Sequence, residues 1–191
     1  MRIATLGPTG SNHEFVLQAY LHERRASGVE IRLEPDFLRA FDAMLRGEVD
    51  FVLQCSAHPM HAECVGRYMY RAFPVDTFVA SSKPLALLAR TDRPQPRTVG
   101  LQPATRHYLP LDGLEPIAQA TTVDVAAGLL AGRFDAGICA LEALERHPDA
   151  LRLVAPIGPA IDVWVLYGRE RLGSDPALNL DAPVAQRLAA A

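Results

Sequence analysis

The sequence has little lysine, few cysteines and no long apolar run. Of its 19 basic residues only Lys83 is a lysine, and the net charge of −3 leaves no basic surface of the kind that binds nucleic acid. The three cysteines are odd in number and do not suggest a disulfide framework. No apolar run reaches the roughly twenty residues that span a bilayer, and no signal peptide is visible. We therefore expect a reduced, cytoplasmic protein without nucleic-acid or membrane partners.

The remaining composition is that of a globular protein. Apolar residues make up 49% of the chain and charged residues 21%, which is enough to build a core. A length of 191 residues suits one large domain or two small lobes. Roughly the first fifty residues read as β-α-β-α-β, which predicts a parallel sheet with right-handed crossovers. A second β-α-β group follows at 98–154, and a strand returns at 161–167.

This repeat predicts an α/β fold of two lobes with a ligand cleft between them. Two crossovers are expected near 81–84 and 156–160, so that residues 1–82 plus 160–191 form one lobe and 83–159 the other. Lobes joined in this way close on a small ligand in the cleft.

Two stretches of the chain are harder to assign. Residues 54–66 break the repeat and are predicted to be a loop at the carboxyl end of a strand, where open α/β sheets bind ligands. A strand is predicted at 67–73. The Ala-rich tail is predicted to contain a last helix near 184–189.

The opening of the chain predicts a strand, a glycine-bearing turn and a helix. Ser11 and Glu14 fit a capping box, in which the glutamate accepts a hydrogen bond from the serine amide. Because the first amides of a helix are unpaired and its dipole adds positive charge, Thr9, Gly10, Ser11 and Asn12 are candidate anchors for a carboxylate. The alternative is that this strand–turn–helix binds nothing. No nucleotide-binding glycine motif is present.

Five further residues, Thr105 among them, are candidates for the cleft. Arg106 follows a strand end beside Thr105, and an arginine fork matches a carboxylate, although a solvated surface arginine is the alternative. Thr122 lies at a helix start, where its hydroxyl can cap the helix, contact a ligand, or do both. Trp164, the only tryptophan, is either core filler or a hydrophobic floor for a cyclic ligand. Asp162 is either an acid group at the cleft or an exposed strand-end aspartate.

Cys55, His58, His61 and Cys64 form a C-x2-H-x2-H-x2-C cluster. Sulfur and imidazole are zinc ligands, but four ligands this close together would strain a tetrahedral site, so no metal is predicted. Instead, His58 or His61 is expected to point into the cleft as a hydrogen-bond donor or general acid. In the alternative, the segment is a mixed loop whose cysteines are buried as small hydrophobes. Cys139 ends a buried strand without a partner base and is predicted to be structural.

Four segments resemble, in the same order, the catalytic domain of prephenate dehydratases. The family's G-P-x-G-[TS] turn before its first helix is similar to ATLGPTGSNHEFV, and its substrate loop falls at VDFVLQCSAHPMHAECV. Its proline-bearing strand–loop resembles VGLQPATRHYL. Its [ST]-T-x-x-A-A helix and D-x-A-I strand resemble ATTVDVAAGLLAGRFDAGICALEAL. The resemblance covers about 2–168 and implies a type II periplasmic-binding-protein fold, with substrate at the opening turn.

Two three-residue segments depart from the family's pattern. The family's Thr-Arg-Phe in the returning strand corresponds to Asp-Val-Trp at 162–164, and its Glu-Asn-Ser loop to Ala-His-Pro at 57–59. Because the threonine and arginine assigned to dehydration are missing, ordinary dehydratase activity is not expected. The loss resembles the non-aromatising prephenate decarboxylase branch, as in bacilysin-type antibiotic pathways. The regulatory domain that normally follows in the family is not expected either.

The resemblance and the residues together predict a lyase that acts without a cofactor on prephenate or a similar small cyclic or keto carboxylic acid, by decarboxylation or dehydration. The opening turn would anchor a carboxylate, while Thr105, Arg106 and Thr122 would orient the substrate over Trp164. His58 would donate a proton. The alternative is a non-catalytic carboxylate-binding or sensor protein, and a metal-binding loop protein is a third, weaker one. A homodimer is left open.

Overall fold

The computed structural model describes residues 1–171, which form ten strands, five α-helices and one 3-10 helix. No helix in this part of the chain has the length and apolar character needed to cross a membrane. In chain order the elements are β1 (Arg2–Leu6), α1 (Asn12–Glu23), β2 (Glu30–Glu34), α2 (Phe37–Leu45), β3 (Phe51–Cys55), α3 (His61–Tyr68), β4 (Phe73–Ser81), β5 (Leu85–Arg90), β6 (Thr98–Leu101), the 3-10 helix (Pro103–Thr105), β7 (Glu115–Ala118), α4 (Thr122–Leu130), β8 (Ala136–Ala140), α5 (Glu142–Arg146), β9 (Leu151–Gly158) and β10 (Ile161–Gly168).

The strands form two five-stranded sheets of the same design. The first has the order β2-β1-β3-β10-β4 and the second β7-β6-β8-β5-β9. In the first sheet β1 is parallel to β2 and β3, while β10 runs antiparallel to β3 and β4. In the second, β6 is parallel to β7 and β8, while β5 runs antiparallel to β8 and β9. Each sheet with its helices forms one lobe, and the predicted two-lobed α/β fold is confirmed.

Two chain segments connect the first lobe to the second. One lies between β4 and β5 and the other between β9 and β10. They are hydrogen-bonded to each other, because Ser82 N donates to Ala160 O at 2.8 Å and Ala160 N donates to Ser82 Oγ at 2.9 Å. The lobe boundaries at 82/83 and 159/160 stay a prediction. The predicted last helix near 184–189 lies outside the described residues.

Helix α3 corrects the prediction of a loop at 54–66 followed by a strand at 67–73. Cys64 and Tyr68 are both buried, and they are one turn apart on the same helix face. The ring of Tyr68 stacks on Phe41 of α2, with centroids 4.9 Å apart. Because this contact joins residues far apart in sequence, the local pattern of apolar and polar residues did not reveal the helix.

Both faces of the first sheet are buried, as is usual for parallel strands that helices cover. One face packs against Val16 and Leu17 of α1, and the other against Phe37 and Phe41 of α2. The second sheet is covered by Val125 and other residues of α4 on one face, and by loop residues between β6 and β7 on the other. This packing fixes the sheets so that the carboxyl ends of β1, β3, β6 and β7 reach the space between the lobes.

Candidate functional site

A cleft of about 700 Å³, counted out to its open mouth, lies between the lobes. The carboxyl ends of β1, β3, β6 and β7 all reach it, which is where open α/β sheets bind ligands. The first lobe contributes Leu6, Gly7, Ser11, Asn12, His13, Cys55, Ala57, His58, Asp162 and Trp164. The second lobe and the connecting segments contribute Ser82, Leu85, Gln102, Ala104, Thr105, Tyr108, Ala120, Thr121, Thr122 and Ala160.

Helix α1 begins at the cleft with Ser11 as its N-cap. Ser11 Oγ accepts a hydrogen bond from Glu14 N at 3.2 Å and donates one to Leu6 O at 2.9 Å. The Glu14 carboxylate accepts from Gly10 N at 2.6 Å, whereas the predicted capping box assigned it to the serine amide. The reason is that Ser11 N already donates to Pro8 O within the turn, at 3.1 Å.

These bonds decide which amides of the opening turn are free. Gly10 N and Ser11 N are occupied by the protein itself. The amides of Asn12 and His13 have no hydrogen-bond partner among residues 1–171, and both residues line the cleft. Thr9 is exposed, and neither Thr9 nor Gly10 lines the cleft. The free donors are therefore Asn12, the last residue of the predicted anchor, and His13, which follows it.

Helix α4 opens into the same cleft from the second lobe. Its N-cap is Thr121, whose Oγ1 accepts from Asp124 N at 3.0 Å and donates to the Asp124 carboxylate at 2.8 Å. Thr122 is the first helical residue and lines the cleft. Its hydroxyl makes no hydrogen bond within the described part of the chain. Because Thr121 supplies the cap, the hydroxyl of Thr122 is available to a ligand.

The 3-10 helix after β6 brings in Thr105 and leaves Arg106 outside. Thr105 is buried, lines the cleft and donates its hydroxyl to Gln102 O at 2.8 Å. Arg106 is exposed and does not line the cleft, so the structure does not bring it together with the other predicted site residues. Tyr108 lines the cleft instead. Among the described lining residues there is neither an arginine nor a lysine.

One wall of the cleft is built from aromatic and imidazole rings packed edge to face. The His13 ring centroid lies 5.0 Å from that of Trp164 and 5.6 Å from that of His58. Phe37 packs behind them, 4.9 Å from His58. His13 was not among the residues predicted from the sequence. Its spacing of three and four residues before the buried Val16 and Leu17 was the signal that it faces inward.

Both histidines of this wall are neutral at pH 7. Burial, followed by the neighbouring His58, lowers the pKa of His13 to about 3. Burial, followed by His61, lowers the pKa of His58 to about 4. His58 Nδ1 accepts from Met60 N at 3.2 Å, which places the proton of the neutral ring on Nε2. In the free protein His58 therefore offers a hydrogen bond from Nε2, and its role as a proton donor stays a prediction.

Asp162 is the one acidic residue among the described residues that line the cleft. It is half-buried at the start of β10 and forms no hydrogen bond or salt bridge through its side chain within residues 1–171. Burial raises the pKa of its carboxyl group. Burial, and then the charge of Asp162, also raises the pKa of the nearby Tyr108. Asp162 is thus an unpaired acid next to the space a ligand would fill.

The four residues of the cysteine and histidine cluster do not converge. Cys55 packs with Trp164 on one face of the first sheet, whereas Cys64 packs with Tyr68 on the other. His61 Nε2 lies 3.0 Å from the hydroxyl of Tyr167. Within residues 1–171 no group of three or more His, Cys, Asp or Glu side chains is arranged to hold a metal ion.

The third cysteine, Cys139, is buried in the second lobe. Burial raises the pKa of its thiol to about 12, so the thiol is protonated at neutral pH. A protonated, buried thiol is a poor nucleophile, in keeping with the structural role predicted for this residue.

The chain is similar to solved structures but matches no protein-family profile and no curated protein sequence. A prephenate dehydratase from Arthrobacter aurescens, in complex with L-Phe, aligns at 18% identity over 98% of this chain and 70% of that chain, with a TM-score of 0.64. An ABC transporter from Parabacteroides distasonis aligns at 16% identity over 88% and 65% of the two chains (TM-score 0.56). The periplasmic VFT2 domain of Bordetella pertussis BvgS aligns at 14% over 88% and 80% (TM-score 0.54). At these identities the similarity shows the fold, that of two-lobed periplasmic-binding-protein domains.

Proposed function

We propose that this protein binds a small organic acid in the cleft between its two lobes. The observation that carries the proposal is that α1 and α4, one from each lobe, both open into this cleft with first-turn amides that have no partner in the described chain. Such helix starts attract carboxylates through their free N–H groups and the positive end of the helix dipole. A ligand that touches both helix starts would link the lobes.

The rest of the lining suits a cyclic or otherwise apolar ligand body. Leu6, Leu85, Ala104 and Trp164 contribute apolar surface around the polar helix starts. Small-molecule sites generally combine such an apolar lining with a few directed polar groups. The hydroxyl of Thr122 and the Nε2–H of His58 are directed groups of this kind.

Prephenate is the first acid to test. The similarity to a prephenate dehydratase structure supports this choice, as do the four segments that resemble the family in sequence. A lyase activity on this substrate is a second candidate function, and the presence of Asp162 in the cleft favours it. A decarboxylation needs a proton donor to replace the carbon dioxide that leaves, and a carboxyl group whose pKa is raised by burial can supply that proton. The decarboxylase branch belongs to this candidate, because the threonine and arginine of the dehydratase pattern are missing.

The test combines binding with product analysis. Purified protein is mixed with prephenate, thermal unfolding is followed, and the products are separated by chromatography with mass detection. Binding raises the unfolding temperature by mass action, and lyase activity yields a product lighter by carbon dioxide, with or without loss of water. A higher unfolding temperature without any product would support the binding function and contradict the lyase activity. No shift with prephenate or with a panel of keto and cyclic acids would contradict the proposed function itself.

A further inference from the structure

The described cleft lining contains one carboxylate and no cationic side chain, and this restricts which charged ligands can bind. Asp162 lines the cleft, and no arginine or lysine is among its described lining residues. The nearby Lys83 is engaged elsewhere, since its Nζ donates to Gly10 O at 2.9 Å and to Glu142 Oε1 at 3.2 Å. Arg106 is exposed outside the cleft. Within residues 1–171, the Asp162 carboxylate therefore has no cationic partner.

Two ring nitrogens in the wall of the cleft also indicate a ligand. Trp164 is two residues beyond Asp162 along β10, so the two side chains lie on the same face of the strand. Within the described part of the chain, Trp164 Nε1 and His13 Nε2 have no hydrogen-bond partner, although Trp164 is 2% and His13 9% exposed, and both residues line the cleft. Buried polar atoms are normally satisfied, so these two point to a polar group that enters from the cleft. This observation is independent of the two helix starts.

Together these features match a molecule that carries both signs of charge. A carboxylate fits the unpaired amides at the helix starts, whereas a second carboxylate would be repelled by Asp162. An ammonium group offers Asp162 the cationic partner that residues 1–171 do not provide. We propose that the cleft selects carboxylic acids that also carry an amine, as α-amino acids do, with the ammonium group held by Asp162. This inference rests on the proposed function and narrows its ligand.

Matched ligands test the inference directly. Each of the twenty proteinogenic amino acids is compared, by calorimetry and thermal unfolding, with the same acid lacking the amine; L-phenylalanine and 3-phenylpropionate form one such pair. We expect at least one amino acid to bind roughly tenfold or more tightly than its deaminated partner, because a hydrogen bond to a charged group is strong. If acids bind and none is improved by the amine, the inference is wrong and the proposed function stands. If neither set binds, and prephenate does not, the proposed function fails with it.

The variant Asp162→Asn separates an ammonium acceptor from a protonated acid. Asparagine keeps the size of the side chain and can donate a hydrogen bond, as a protonated carboxyl group does, but it has no charge. We expect Asp162→Asn to lower the affinity for the amino acid by roughly tenfold or more and to leave the deaminated acid unaffected or bound more tightly. Equal affinities of the variant and the parent protein for the amino acid would overturn the inference.

The pH dependence of binding gives a second test, because the affinities for the amino acid and for the deaminated acid should change in opposite directions. An ammonium ligand needs ionised Asp162, so its affinity should fall as the pH is lowered from neutral toward the raised pKa of this carboxyl group. The affinity of the deaminated acid should rise over the same range, because a protonated Asp162 no longer repels it. Cys55 and Tyr108 face Asp162, and both have raised pKa values. They stay neutral over this range, as do His13 and His58, whose pKa values are about 3 and about 4. An amino-acid affinity that rises as the pH falls would contradict the proposal.

Discussion

His13 is buried, and its Nε2 has no hydrogen-bond partner within residues 1–171. It lies among Phe37, His58 and Trp164, and its pKa of about 3 is far below its ordinary value of 6.5. Between these values the unfolded chain binds a proton that the folded chain does not, so the free energy of unfolding falls as the pH falls below 6.5. The neutral imidazole thus ties the stability of the cleft wall to pH.

Replacing His13 with phenylalanine should therefore flatten the acid side of the stability curve. His13 alone contributes a slope of up to about 1.4 kcal/mol per pH unit below its ordinary pKa, and Phe has no proton to bind. Urea unfolding of parent and variant at about pH 7.5 and pH 5.5 measures this slope. A smaller slope remains in the variant from His58, whose pKa is also lowered. Parallel curves for the two proteins would show that His13 is not protonated on unfolding in this range.

Thr121 and Thr122 are adjacent residues with separable tasks. Thr121→Val removes the N-cap of α4 and should cost about 1 kcal/mol of stability, because the hydroxyl accepts from Asp124 N. Thr122→Val removes a hydroxyl without a partner in the described chain, so it should leave stability nearly unchanged. If that hydroxyl contacts the ligand, Thr122→Val should lower the affinity for a bound acid roughly fivefold to tenfold. Thermal unfolding and calorimetry measure both effects.

The control for these threonine variants is Thr77→Val on the exposed surface of β4, away from the cleft. It makes the same chemical change and should alter neither affinity nor stability appreciably, since valine suits a strand. A Thr122→Val protein that binds as tightly as the Thr77→Val protein would remove Thr122 from the ligand contacts.

At the scale of elements, glycines create the space in which Phe134 joins β6, α4 and β8. A Cβ atom on Gly100 of β6 would collide with the Phe134 ring, and one on Gly128 of α4 would lie 2.6 Å from Phe134 Cζ. The ring is 2% exposed and part of the core of the second lobe. Because an aromatic ring cannot bend away, the strand and the helix depend on glycine at these positions.

The variant Gly100→Ala should accordingly destabilise the protein by about 1–3 kcal/mol, the usual cost of overpacking a core. Gly66 in α3 is the matched control, since a Cβ atom there meets nothing within 4 Å and the backbone is helical. Gly66→Ala should stabilise the protein by about 0.5–1 kcal/mol, because alanine restricts the unfolded chain. Chemical denaturation of both variants checks the difference. If Gly100→Ala is as stable as the parent protein, Phe134 moves aside without cost.

Elements with strong local signals were predictable from the sequence. The apolar run at 85–90 predicts a strand, and β5 spans Leu85–Arg90. Asp36 follows a turn and is of a residue type that favours helix N-caps, and it caps α2 by accepting from Arg39 N at 2.8 Å. Helix α3 was not predictable, because its buried face is defined by Phe41, a residue distant in sequence. Local patterns therefore predict the elements that have their own capping residue or a continuous apolar run. The other elements depend on tertiary packing.

The same distinction applies to the candidate site. Ser11 and Thr122 were predictable as cleft residues because a helix start leaves its first amides unpaired. Arg106 was selected for its chemistry alone, and its direction depends on a 3-10 turn that leaves it exposed. The unpaired state of Asp162 depends on where every cation of the two lobes lies. No local sequence pattern predicts that a carboxylate will lack a neighbouring cation.

At the scale of the whole molecule, the lobes are tied together by Lys83. Its backbone N donates to Asn12 Oδ1 at 3.1 Å, and its Nζ donates to Gly10 O at 2.9 Å, both in the first lobe. The same ammonium group pairs with Glu142 of the second lobe at 3.2 Å. These bonds lie next to the start of α1, so separation of the lobes must break some of them. Ligand binding at α1 and α4 should make that separation rarer.

Because Lys83 is the only lysine, acylation of its ε-amine reports on this contact. Its side chain is 16% exposed, so modification should require that the lobes separate and release it. We expect a bound acid to slow acetylation of Lys83, followed by peptide mass spectrometry, relative to the exposed amino terminus of the same molecule. Glu142→Gln, which lies outside the cleft lining, should speed acetylation without ligand roughly twofold to fivefold, as expected for a pair worth about 0.5–1 kcal/mol. Acetylation at the same relative rate with and without ligand would mean that binding and lobe closure are not coupled through Lys83.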